Sequence, residues 1–172
     1  MVDIRIKEGS TDRWNGDASI STIASKVQVN GPIIKDKAAI LLSFRRSHLD
    51  DYLLDISRKN KAKEDIIGES TAYFQDLYGK LHFVVDKRNR IYLSYYQGQD
   101  SYEDIEEYQE SFEDAEFYFL DDGESDWSNR MSSLRWTHLF GKKFFSTTTL
   151  SYTAFDYKRN FRGVYQATDP QF

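Results

Sequence analysis

The chain has 172 residues, a formal net charge of −5 and no cysteine. That length carries one domain with a real core, the lack of thiols excludes disulfides and thiolate metal sites, and the acidic balance argues against a nucleic-acid partner. No apolar run approaches the ~20 residues of a membrane helix, which leaves membrane strands open, because these alternate outward apolar with inward polar residues.

Val2, Ile4 and Ile6 alternate with Asp3, Arg5 and Lys7, a short strand ended by Gly9. Ser10 to Asn15 is turn-like, Trp14 to Ile20 is a weak strand, and a bend follows near Ser21 to Ala24. From Ser25 to Gly31, Val27 and Val29 oppose Lys26, Gln28 and Asn30. Gly31 to Lys37, with Pro32, reads as a turn. It feeds the strand Ala38 to Arg46, with Ile40, Leu42 and Phe44 on one face and Leu41, Ser43 and Arg45 on the other.

Ser47 to Ser70 is charged and reads as a long connection, with a turn or two of helix within Leu49 to Asn60 and apolar residues that include Ile56 and Ile66. Phe74 to Val85 is the cleanest strand. Leu77, Gly79, Leu81 and Phe83 share one face, and Asp76, Tyr78, Lys80 and His82 the other. Asp86 to Asn89 is a compact polar turn, and Arg90 to Gln99 returns as a hairpin partner. There Ile91, Leu93 and Tyr95 oppose Tyr92, Ser94 and Tyr96.

Gln99 to Ser128 reads as a second long connection, strongly acidic, with Tyr102, Tyr108, Phe112 and Tyr118 among its carboxylates. Such aromatics argue against simple disorder and mark a possible ligand-contact loop. Asp121-Asp-Gly-Glu124 is suggestive of calcium but lacks spaced EF-hand ligands. Asn129 to Phe140 is a strand with Leu134 and Trp136 opposite Ser133, Arg135 and Thr137. After the tight turn Gly141 to Lys143, Phe144 to Tyr157 places Leu150 and Tyr152 opposite Thr149 and Ser151, and Lys158 to Phe172 reads as another polar connection.

Short and long connections therefore alternate. In an up-and-down meander this puts the short turns at one end and the long ones at the other, the asymmetry of outer-membrane barrels. The expected fold is all-β: an antiparallel up-and-down meander of about seven long strands, part of a transmembrane β-barrel that cannot close alone. The lipid-facing set is Ile40, Leu42, Phe44, Leu77, Leu81, Phe83, Ile91, Leu93, Tyr95, Leu134, Trp136, Leu150 and Tyr152. The lumen-facing set is Ser43, Arg45, Asp76, Lys80, His82, Ser94, Arg135 and Thr137, with Arg45 expected to pair with an acid such as Asp76. Phe74, Phe140, Phe144, Phe145 and Tyr157, near strand ends, suit an interfacial girdle. A soluble sheet with one wet face gives the same alternation, so a soluble all-β binding module with an acidic, aromatic-rich loop is the alternative. His48, His82 and His138 are scattered without metal-ligand spacing. Neither a metal, a cofactor nor an enzymatic site is expected.

With these residues laid out, the chain resembles TonB-dependent outer-membrane receptors of the Bacteroidetes type. Val2-Asp-Ile-Arg-Ile-Lys-Glu-Gly9 is similar to the last strand of the plug domain, so residues 1–9 correspond to the plug's end. Ser25 to Arg46 resembles the family's second strand, first periplasmic turn and third strand. Asp76 to His82, Asn89 to Tyr96 and Leu134 to Phe140 resemble strands four, five and six. On this resemblance residues 14–158 are the N-terminal strands of the receptor barrel, and 159–172 start an extracellular loop. Such receptors carry a full plug and 22 strands, so the chain is expected to be a fragment; its N-terminus has no signal-peptide core. The resemblance implies an outer-membrane location and nutrient transport. The implied partners are outer-membrane lipid, the rest of the receptor, TonB and a surface lipoprotein.

Overall fold

Among the described residues, seven strands form a single antiparallel sheet in which each strand pairs with its neighbours in sequence. They are β1 (Asn15–Ile20), β2 (Ala24–Ile34), β3 (Ala38–Ser47), β4 (Ile67–Val84), β5 (Asn89–Phe112), β6 (Ala115–Leu139) and β7 (Phe145–Thr168). The computed structural model describes residues 8–54, 67–112 and 115–168. The expected strand Val2 to Lys7 and the apolar residues Ile56 and Ile66 lie outside the described residues. The up-and-down meander is the one the alternation predicts, and one helical turn over residues 49–54 follows β3.

The turns at one end have local causes. β2 continues through Pro32 to Ile34, further than its alternation suggests, and its register with β3 shifts between Pro32 and Ile34. A bulge is where a strand accommodates a residue without an N–H. The turn itself is Lys35 to Lys37, closed by the Lys37 amide on the Ile34 carbonyl at 3.0 Å. Asp36 sits there at φ 61°, a left-handed conformation that Asp tolerates better than most residues. Between β4 and β5, Asp86 Oδ1 accepts the amides of Arg88 at 2.6 Å and Asn89 at 2.9 Å. These bonds satisfy backbone donors and hold that carboxyl below its ordinary range, the Arg88 amide contributing most.

Two of the three segments read as long connections require correction, and the third, Ser47 to Ser70, gives way to strand from Ile67. β5 and β6 are continuous through the acidic stretch, paired from Asn89 opposite His138 to Phe112 opposite Ala115. β7 carries the Lys158 segment as strand to Thr168, paired with Glu116. β4 begins at Ile67, well before Phe74. From Gln99 to Phe112 is about 13 residues, or ~44 Å of strand projecting past β3. These extensions lack an apolar face in β5, so apolar alternation does not reveal them. They are held by the backbone ladder and by cross-strand side chains: Gln75 to Gln99 at 2.9 Å, Asn160 to Glu124 at 2.8 Å, and the ring pair Trp127–Tyr157 at 6.4 Å. After Gln99 and Lys158 the long end thus carries projecting strand where long loops are expected. The bend at 21–23 is short although it lies at the long end.

The faces follow the register. Ile40, Leu81, Leu93, Leu134 and Leu150 form one row across β3 to β7. On the same face, Leu42, Gly79, Tyr95 and Tyr152 lie in the next row toward one end, and Phe83, Ile91 and Trp136 in the next row toward the other. Nothing described covers them: Leu93 is 46%, Leu134 45% and Leu150 71% exposed. The buried apolar residues among those described are Ala38, Ala39, Leu41 and Tyr92, all of the inner parity except Ala38. No described helix is long and apolar enough to cross a membrane, a finding that does not bear on strands.

Candidate functional site

The outward rows make a belt with polar limits. At the long end it stops at Arg46, Gln75, Gln99, Ser128 and Asp156, which share one row. At the short end it stops at the turn beginning with Asp86. The interval on β4, Gln75 to Asp86, is about eleven residues, or ~37 Å at the ~3.4 Å rise of a strand. A tilt of ~40° reduces that to a height of ~29 Å, against a lipid-facing apolar band of ~25 Å in outer-membrane barrels.

The short-turn edge of the belt is aromatic. His138 packs on Phe140 with centroids 4.4 Å apart, and Phe140 on Phe144 at 5.1 Å. Asn89 Oδ1 ties this edge together, accepting from Trp136 Nε1 at 3.1 Å and lying 2.7 Å from His138 Nδ1. Of the five aromatics expected in a girdle, two lie on the outer face and three do not. Phe140 and Phe144 flank the outer face, but Phe74, Phe145 and Tyr157 have inner parity, opposite Ser47 or Asp100, Leu139 and Trp127 respectively. A position one residue off in a strand belongs to the other face.

The inner face gathers the polar set. Arg45 stands opposite Asp76 and donates to it from Nε at 2.8 Å, while its guanidinium lies 4.8 Å from the Phe74 ring. Asp76 Oδ1 also accepts from the Tyr96 hydroxyl at 2.8 Å. Ser43, Lys80, His82, Ser94, Arg135 and Thr137 share this face by register. Tyr92 is their hub. His82 stacks on it at 4.8 Å, Lys80 Nζ is 5.6 Å from its centroid, and the Arg135 guanidinium is 4.2 Å away. Both ring nitrogens of His82 are buried with no hydrogen-bond partner among the described residues.

The N-terminal segment lies across this face. Glu8 Oε1 is 3.7 Å from Arg135 Nη2, and the Ser10 amide donates to Asn30 Oδ1 at 3.1 Å. At Gly9 a Cβ would fall 2.7 Å from the Ile40 carbonyl oxygen, so the close approach of the two backbones requires glycine there.

The projecting strands hold a second feature. Tyr102 and Tyr108 share the inner parity, whereas Tyr118, opposite Gln109, is on the outer face. The four aromatics expected to form one ligand-contact loop are therefore divided between two faces; the Phe112 side chain lies outside the described residues. Asp121 and Asp122 alternate faces in the same way, and no group of three metal-ligating side chains occurs among the described residues. Tyr102, Asp104, Glu106, Asp121, Gly123, Ser125, Arg159 and Phe161 line an open inner-face cleft of about 240 Å³. Tyr108, Phe119 and Tyr165 continue the aromatic surface, with centroids 4.7 Å and 5.6 Å apart. Tyr165 donates to Asp121 at 3.1 Å, and that bond to a carboxylate pushes its phenol above the ordinary range. Sequence reading missed Phe161, Tyr165 and Arg159. The available signal was Tyr157, Phe161 and Tyr165 at four-residue spacing, which keeps one strand face.

Comparison of the chain with protein-family models, with curated proteins and with solved structures gives no match.

Proposed function

We propose that this meander is a segment of an outer-membrane β-barrel wall. Its apolar belt faces hydrocarbon, its inner face lines a wet lumen, and its projecting strands stand outside the membrane. The observation that carries the reading is the belt: one face, uncovered among the described residues, apolar in the rows of Ile91, Leu93 and Tyr95, mixed in the row of Leu77 and Arg130, and ending in polar rows at a height suited to a bilayer. The open edges fit it, since among the described residues β1 pairs only with β2 and β7 only with β6. In hydrocarbon such edges need further strands to satisfy their backbone groups.

The resemblance set out above adds the receptor. The barrel is that of a TonB-dependent nutrient receptor, in which ligand binds at the outer face, TonB pulls on the plug, and ligand passes through the lumen. The segment around Glu8 and Gly9, resting on the inner face, has the position expected of a plug's end. The chain's contribution is wall, lumen lining and projecting loops.

The test is flotation with lipid vesicles after refolding the full chain from urea. The proposal expects the chain to rise with the vesicles as β-structure that resists carbonate extraction. A monomer that folds cooperatively in water and stays out of the lipid fraction would overturn it in favour of a soluble all-β module.

A further inference from the structure

Ala39, His82, Tyr92 and Arg135 form one row across the inner face from β3 to β6. A single sheet would leave such a row open, yet Ala39 is 1%, Tyr92 7% and His82 8% exposed. The segment from Glu8 meets the row at both ends: Gly9 packs on Ile40 and Ala39, and Glu8 reaches Arg135. Two backbone amides tie this segment down. Ser10 donates to Asn30 Oδ1 at 3.1 Å, and Asp36 donates to the Thr11 carbonyl at 3.1 Å. His82 is the misfit in the row, since neither of its buried ring nitrogens has a hydrogen-bond partner. A neutral imidazole carries one N–H and an imidazolium two, and burying the charged form without an acceptor costs more than burying the neutral one. Among the described residues, the charges acting on it are Glu8 from the segment, Lys80 on β4, Arg90 on β5 and Arg135 on β6. The β3 positions facing it, Ala39 and Leu41, carry none. Three of these four charges are cations, so a proton on His82 meets repulsion as well as desolvation.

We propose that the segment Glu8 to Arg13 is an acid-released strap, docked on the inner face while His82 is neutral and detached when His82 takes a proton. Detachment opens the row to water, which can solvate the imidazolium. Docking is therefore at full strength above the ordinary histidine value of about 6.5 and weakens as pH falls through it. The two tying amides lie on either side of the row in sequence, at Ser10 and at the Asp36 turn, so both report the same event. The inference goes beyond the receptor reading and does not need it. Segment, sheet and imidazole behave alike whether hydrocarbon or water lies outside the belt, so vesicle flotation and strap release succeed or fail independently.

The test is hydrogen exchange at the Ser10 and Asp36 amides of the full chain in detergent micelles, resolved by nuclear magnetic resonance and corrected for intrinsic rates. One histidine that takes its proton only when undocked raises the undocked fraction by at most ~25-fold from about pH 7 to about pH 5. The expected acceleration at both amides is at least ~5-fold, while the ladder amide of Leu93 keeps its protection. In His82→Phe, which keeps a ring on Tyr92 but cannot be protonated, both amides should exchange at a rate independent of pH over that range. His82→Gln is the second neutral variant, and far-ultraviolet dichroism confirms the fold of each. Glu8→Gln should exchange faster at every pH with the same pH dependence as the native chain. A flat native profile, the same acceleration in the neutral variants, a pH dependence that vanishes in Glu8→Gln, or an equal acceleration at Leu93 would each overturn the proposal.

Discussion

Leu93→Arg is the sharpest perturbation of the belt. Leu93 lies in the row Ile40, Leu81, Leu93, Leu134 and Leu150, midway between the polar row at Gln99 and the turn at Asn89. If that row is at the bilayer midplane, an arginine there costs about 2–4 kcal/mol, while one near the interface costs about 0–1 kcal/mol. Gln97→Arg supplies the shallow position on the same face of the same strand, and Ser94→Arg the inner face next door. The expected order of destabilisation is Leu93→Arg far above Gln97→Arg, with Ser94→Arg also small. Urea unfolding in lipid vesicles, followed by tryptophan fluorescence, measures it. In water Leu93 is already 46% exposed, and an exposed Leu→Arg change on a soluble sheet stays within about ±0.5 kcal/mol. Equal, small effects at all three positions would refute the argument.

Two other outcomes follow from the polar contacts. Arg45 and Asp76 are 51% and 22% exposed, so solvent screens them, and a double-mutant cycle with alanine should return a coupling of about 0.5–1 kcal/mol; a coupling of zero would mean that the bond is incidental. Because Asp86 is held below its ordinary carboxylate value, its stabilisation of the β4–β5 turn is complete above that value and disappears as pH falls through the lowered one. Amide exchange of Arg88 and Asn89 should accelerate over that acidic window in the native chain and be pH-independent, after correction for intrinsic rates, in Asp86→Asn; an unchanged profile would contradict the assignment.

The strands were legible where the belt runs, because apolar and polar residues mostly alternate there: every one of Ile40, Leu81, Leu93, Leu134 and Leu150 falls in one row. The Arg45–Asp76 pair was legible too, since both had inner parity on neighbouring strands. The projecting halves of β5 to β7 were not. Beyond Gln99 the outer face turns polar and the inner one takes the aromatics, so the periodicity changes sides just where charge density rises. A rule that looks for one greasy face reads that change as a loop. The split of Tyr102 from Tyr118 was hidden for the same reason, because faces in the stretch are defined only once Phe112 is seen opposite Ala115.

The most direct measurement uses Trp136, which lies on the outer face in the row of Phe83 and Ile91 and is 47% exposed. With Trp14 and Trp127 replaced by phenylalanine, its emission is followed in vesicles whose lipids carry bromine at graded acyl depths. The account predicts strong quenching by acyl-chain bromine, a blue-shifted emission and protection from aqueous iodide. Quenching by iodide with indifference to every brominated lipid would contradict it.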